Sequence, residues 1–144
     1  MQTLVNKAWI IEKAGTLFWQ KGYDGASMRE IAEACGCRPA NIYNYFESKE
    51  EILYEVIKDI MEKILSSIQH LEADETMNPI EQLRSFIKCH FELLARMKRS
   101  NVLISDTSLR SLSPEHRKAI VKLRDTYDTI MRRVIRRGVE KGYF

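Results

Sequence analysis

The stretch Ser27–Phe46, reading SMREIAEACGCRPANIYNYF, decides how this chain folds. Ser27 stands before a short run with Glu30 three residues on, a spacing at which hydroxyl and carboxylate reciprocally satisfy free N–H groups at a helix start. Ile31 and Ala32 give that helix an apolar face, and the small Ala32 lets another helix cross it closely. Gly36 follows one turn later, where a left-handed residue ends a helix and turns the chain. Pro39 then sits in the first turn of a second helix, where its missing N–H costs nothing. The spacing therefore predicts a helix-turn-helix, whose second helix normally enters the major groove of DNA.

Working outward, the second helix is expected to run from about Pro39 to Phe46. Ile42 and Phe46 are needed inside, so Arg38, Pro39, Ala40, Asn41 and Asn44 are left to face a groove. Asn41 and Asn44 can bond adenine edges in pairs, Arg38 can reach guanine, and Ala40 can meet a thymine methyl. Arg38 lacks the oxygen of a good cap, so it is either functional or tolerated. A solvated helix face is the plainer reading of the two asparagines.

Upstream, Ile10, Ile11, Ala14, Leu17 and Phe18 recur with helical period, and Gly22 is a natural stop. Downstream, Ser48 with Glu51 repeats the capping signature and opens a long helix with the stripe Ile52, Leu53, Val56, Ile57, Ile60, Ile64 and Leu65. A polar linker, Glu72 to Asn78, precedes Asn78-Pro79 and Glu81, a helix start made of cap, proline and acid. Leu83, Phe86, Ile87, His90, Phe91, Leu94 and Met97 then predict one apolar face. A short helix is expected within Asn101 to Leu112. Ser113-Pro114-Glu115 opens a last long helix with Ile120, Leu123, Tyr127, Ile130, Met131, Val134 and Ile135 inward, closed by Gly142. With no strand pattern and no repeat, the fold class is all-α.

In order along the chain, Gly22-Tyr23, Ser27, Ile31-Ala32, Gly36, Ile42-Tyr43, Tyr45-Phe46, Ser48-Lys49-Glu50 and Leu53 resemble the N-terminal domain of the tetracycline-repressor (TetR) family. The likeness covers roughly Trp9 to Ile57, with a looser one to the C-terminus. It implies a three-helix helix-turn-helix head over residues 1–47, joined by a long helix to a helical effector-binding and dimerisation domain over 48–144. It also implies a homodimeric, ligand-responsive regulator of double-stranded operator DNA, usually a repressor. Base contacts fall on the second helix, and phosphate contacts on Ser27, Tyr43, Tyr45 and Lys49. Tyr45 can equally be a packing residue. Relatives usually continue with two further helices, so the chain reads as lacking them, which leaves an apolar surface around Val134, Val139 and Phe144.

With 144 residues, 44% hydrophobic and 30% charged, the chain can bury a real core. Net charge is only +3, and acids balance bases through Glu50, so DNA binding must rest on where cations stand and not on total charge. No apolar run approaches membrane-spanning length, and no secretory pattern opens the chain. Three cysteines are no disulfide framework; a reducing cytoplasm is the expected compartment. Cys35-Gly36-Cys37 lacks a nearby His for zinc, so core packing is favoured over a redox or metal switch. No metal or cofactor is expected.

No nucleophile–base pair, phosphate-cradling loop or carboxylate pair supports an enzyme. An effector cavity could draw on Phe86, His90, Phe91, Leu94, Leu103, Leu109, Leu123, Tyr127 and Met131, which equally suit a filled core. The segment from Leu112 is similar to regulators of fatty-acid and lipid degradation in the same family, which implies an acyl-coenzyme A effector. Arginines 132, 133, 136 and 137 suit an anionic ligand. The competing reading is a helical interaction module of the same fold that does not bind DNA.

Overall fold

The computed structural model describes residues 4–96 and 106–144. Seven α-helices and no strand occur among them: α1 (Lys7–Lys21), α2 (Met28–Cys35), α3 (Pro39–Tyr43), α4 (Lys49–Ala73), α5 (Pro79–Arg96), α6 (Asp106–Arg110) and α7 (Pro114–Glu140). Two compact units emerge, one of Met1–Asp59 with Arg99–Lys118, the other of Ile60–Lys98 with Ala119–Phe144. The division falls inside α4 and inside α7. No helix among the described residues is long and apolar enough to cross a membrane.

Helix boundaries follow the local chemistry of the sequence. Asn6 accepts from the Trp9 N–H at 2.9 Å to start α1, and Gly22 at φ 76° ends it. Ser48 accepts from the Glu51 N–H, while the Glu51 carboxylate reaches back to the N–H of Glu47. Asn78 accepts from Glu81, and Ser113 from His116. In each case a side-chain oxygen satisfies an N–H that the first helical turn cannot. The expected linker begins later than Glu72, which is still helical and pairs with Arg133.

In the first unit, Ile10, Ala14 and Phe18 of α1 are buried, as are Ile31, Ala32 and Cys35 of α2, Ile42 of α3 and Phe46. Ile52, Leu53, Val56 and Ile57 of α4 complete this core. Each fully buried large side chain contributes roughly 1.5–3 kcal/mol.

In the second unit, Leu65, Ile68 and Leu71 of α4, Phe86 of α5 and Ile130 of α7 form the core, with Cys89, Leu123, Tyr127 and Met131 packed against it. Here the apolar pattern misplaces α5. Ile87 and Phe91 are exposed, Phe91 by 66%, whereas Gln82 is buried. The Gln82 amide donates to the Leu71 carbonyl at 2.5 Å and accepts from Arg137 at 2.8 Å. A polar residue thus holds the inner face, and hydrophobic periodicity cannot see it. On α7, Ile135 is 43% exposed, against its expected inward place, while Val134, only 2% exposed, is inward as the stripe had it and no part of the expected exposed apolar surface. The two lie about 100° apart on a helix, and Val134 stands one turn from Ile130 on the inward side. Val139 and Phe144 are exposed as expected. Met97 lies outside the described residues.

Candidate nucleic-acid interface

Helix α2 begins as its sequence requires. The Ser27 Oγ accepts from the Glu30 N–H at 3.1 Å and meets the Glu30 carboxylate at 3.3 Å. Lys21, first among the causes, also bonds that carboxylate and holds Glu30 below the usual carboxylate range. Gly36 ends α2 at φ 73°, and its N–H reaches the carbonyls of Ala32 and Glu33. The Cys37 N–H bonds the Ala32 carbonyl at 3.0 Å, completing the turn. Trp9 adds a seal, because its indole N–H donates to the Cys35 carbonyl at 3.2 Å.

The second helix is shorter than expected, Pro39–Tyr43, with Asn44 as its cap and Pro39 in its first turn. The N–H groups of Tyr45 and Phe46 both reach the Ile42 carbonyl. So short a helix has little stability of its own. Burial of Ile42 and Phe46 holds it down. Arg38, Pro39, Ala40, Asn41 and Asn44 are exposed around that anchor, and Tyr43 is exposed by 53%. Arg38 makes no capping bond with its side chain. Sequence placed these five groups outward, and they share the surface of the turn and its helix.

The flanking residues are more committed. The Tyr45 hydroxyl donates to the Val5 carbonyl at 3.0 Å, which is the packing alternative and uses its one proton. The Lys49 ammonium donates to the carbonyls of Tyr23 at 2.8 Å and Ala26 at 3.0 Å. It also lies 4.2 Å from the Tyr23 ring centre. An ammonium has three protons, so one remains for a phosphate. Lys49 therefore joins α4 to the loop before α2 as well as presenting charge beside Ser27.

A groove of about 680 Å³ runs beside the turn, lined by Val5, Trp9, Cys35, Cys37, Arg38 and Asn41 among others. Cys35 is buried, and burial first of all pushes its thiol up to about 11. Burial raises Cys37 as well. Both are poor nucleophiles at neutral pH, which fits packing better than redox chemistry. Among the described residues no cluster of three metal-ligating side chains forms.

Of the candidate effector residues, Phe86 is buried, and Leu123, Tyr127 and Met131 pack around the same cluster. His90 joins them through a 2.9 Å bond between its Nδ1 and the Tyr127 hydroxyl. Desolvation lowers the His90 pKa and raises that of Tyr127. Phe91 points to solvent, and Leu109 belongs to the first unit. Leu103 lies outside the described residues, as does the side chain of Leu94. Arg133 is held by Glu72, and Arg137 by Gln82 and the Glu75 carbonyl, so these two are engaged in bracing α7.

Sequence reasoning missed one constellation altogether. His116 on α7 bonds Glu50 on α4, and its ring lies parallel to Tyr54 at 3.9 Å. The partners are 66 residues apart, and no local spacing signals such a pair.

These features define a helix-turn-helix protein whose short second helix is exposed from Arg38 to Asn41 and at Asn44 over buried Ile42 and Phe46. Two family models match the chain: bacterial regulatory proteins of the tetR family over residues 10–56, and the tetracyclin repressor-like C-terminal domain over 76–144. A crystal structure of the TetR family transcriptional regulator PfmR from Thermus thermophilus is 36% identical, with a TM-score of 0.86, covering 94% of this chain and 72% of that one. AibR in complex with isovaleryl coenzyme A and operator DNA gives 26% and 0.84, with coverage of 96% and 74%. The transcriptional repressor KstR2 of Mycobacterium tuberculosis is 26% identical, aligned over 94% of this chain and 67% of that protein. The chain belongs to the TetR family of transcriptional regulators, which are not enzymes.

Proposed function

We propose that this protein is a homodimeric repressor that binds a near-palindromic operator through residues 1–47 and releases it when an effector enters residues 48–144. The observation carrying this reading is the outward presentation of Arg38 to Asn44 over buried Ile42 and Phe46. Arg38, Pro39, Ala40, Asn41 and Asn44 would read base edges, while Ser27, Tyr43 and the free proton of Lys49 would meet phosphates, and Tyr45 would do so only by giving up its bond to Val5. Two such heads would enter major grooves roughly 34–36 Å apart, or a multiple of that. Work on operator DNA makes the cytoplasm the place of action.

We infer further that the effector is an acyl-coenzyme A or another lipid-like anion. Support comes from AibR, which shares the fold and holds isovaleryl coenzyme A. Buried Phe86 with half-buried His90, Leu123, Tyr127 and Met131 suits an acyl chain with one polar contact, and exposed Arg132 and Arg136 suit its phosphates. Effector binding would move α4 and with it the heads. Gel shift against the gene's own upstream region at low salt tests the first part, with retardation expected. No retardation would favour the interaction module. Release of the shifted band by isovaleryl coenzyme A tests the second; release by no acyl thioester of any chain length would remove that effector class.

A further inference from the structure

We propose that the outer face of α7 pairs antiparallel with the same face of a second copy of this chain, which rests on the homodimer reading and gives it a surface. Val121, Asp125, Asp128, Arg132, Ile135 and Val139 follow one another at alternating steps of four and three residues. At about 100° per residue they stay within roughly 40° of one line, which runs about 27 Å along the helix. All six are exposed, and all lie in the second unit. Val121, Ile135 and Val139 are the large hydrophobics that α7 leaves to solvent, Val139 by 57%, and this one strip holds all three. The buried Ile120, Ile130 and Val134 occupy the other side of the helix. Apolar residues at such spacing mark a helix that meets another helix. Asp125, Asp128 and Arg132, with Arg136 on the flank of the strip, have no ion-pair partner among the described residues. By contrast Arg133 and Arg137 are held by Glu72 and Gln82.

The order of charges sets the orientation. Acids occupy the N-terminal half of the strip and bases the C-terminal half. Parallel pairing would put Asp on Asp and Arg on Arg. Antiparallel pairing about a two-fold axis level with Ile130 puts Asp128 opposite Arg132 of the partner subunit, and symmetry supplies the reciprocal contact. Val121 then meets Val139 of the partner subunit at each end, and Asp125 lies beside Arg136 of the partner subunit. One patch is thus complementary to itself. Its apolar ends drive association, and its charges fix direction and register. A single pair of helices is small for a specific interface, so the dimer should dissociate in the micromolar range. An effector whose phosphates took Arg132 and Arg136 would displace the partner's carboxylates, so effector binding there and this pairing exclude each other.

The test is sedimentation of the whole chain over a range of concentrations, without DNA or effector. Asp128→Arg sets Arg against Arg at two symmetry-related contacts, and Arg132→Asp sets Asp against Asp. Each variant alone is expected to raise the dimer Kd by about tenfold or more. An equimolar mixture of the two should return to within about threefold of the unmodified Kd, because each chain supplies the sign its partner lacks. Dimers of each variant as tight as those of the unmodified chain would overturn the proposal, as would a mixture no tighter than its components. An unmodified chain still monomeric at roughly 100 μM, above the range expected of a small specific interface, would remove the homodimer reading and this surface with it. Should either charge reversal lower the helix content seen by circular dichroism, Val139→Ser serves instead. It removes one apolar contact at each end and should weaken the dimer about tenfold, and an unchanged Kd refutes the pairing.

Discussion

Gly36 and Asn44 bracket the surface proposed to read DNA, and they differ in what holds them. Gly36 has φ 73°, with open space where a Cβ would stand. The obstacle to substitution is therefore backbone strain alone, about 1–2 kcal/mol for a side chain in the left-handed region. Gly36→Ala should lower stability by that amount in urea titration, with an unchanged m-value. Asn44 is exposed and closes α3 in an ordinary right-handed conformation. Its replacement should leave stability within about 0.5 kcal/mol. Asn44→Ala is expected to relax preference at one base position, worth about 1–3 kcal/mol of discrimination. Binding-site selection checks this, and unchanged preference would remove Asn44 from the reading face. Arg38, Asn41 and Asn44 were visible in sequence because Ile42 and Phe46 define the opposite side. The bond from Tyr45 to Val5 was not, since it joins residues 40 apart.

Helices α5 and α7 meet around His90 and Tyr127 in the second unit. Burial holds the folded His90 below its ordinary value, so the unfolded chain takes up its proton first as pH falls. Stability should therefore be unaffected by this group above about pH 7 and decline as pH drops below the ordinary histidine value near 6.5. The decline should level off once pH is below the folded value. His90→Gln should flatten this part of the profile in thermal melts between about pH 7 and 5. The end of α7 offers a second check. A Cβ on Gly138 would lie 2.0 Å from the Phe144 ring, which packs directly over it. Gly138→Ala gains about 1 kcal/mol of helix propensity but displaces that ring. The melting temperature is expected to move by only a few degrees, while amides of Tyr143 and Phe144, now bonded to the Gly138 carbonyl, exchange faster. Protected amides there would show that the ring had another place to go.

Charge at the scale of the whole molecule constrains binding more than any single contact. The net charge is +3, Lys21 is engaged by Glu30, and Lys49 is two-thirds spent on carbonyls. With one cation per head assigned to phosphate, Lys49, a dimer would neutralise about two phosphates. Operator affinity should then fall with salt at a log–log slope of about −2. A slope steeper than about −8 would mean that other cations, such as those on α7, also touch DNA.

Features that rest on near neighbours in the chain were legible from amino-acid order alone. The caps at Ser27, Ser48, Asn78 and Ser113, the turn at Gly36 and the α4 stripe all depend on residues within a few positions, and all stand where spacing put them. Packing alone settled which side of α5 faces inward, because Gln82 answers to Leu71 and Arg137 from other helices. Packing also brought His116 onto Glu50 and Tyr54. Capping is a one-turn interaction that spacing encodes, whereas a buried polar pair depends on a partner whose distance along the chain is set by the fold.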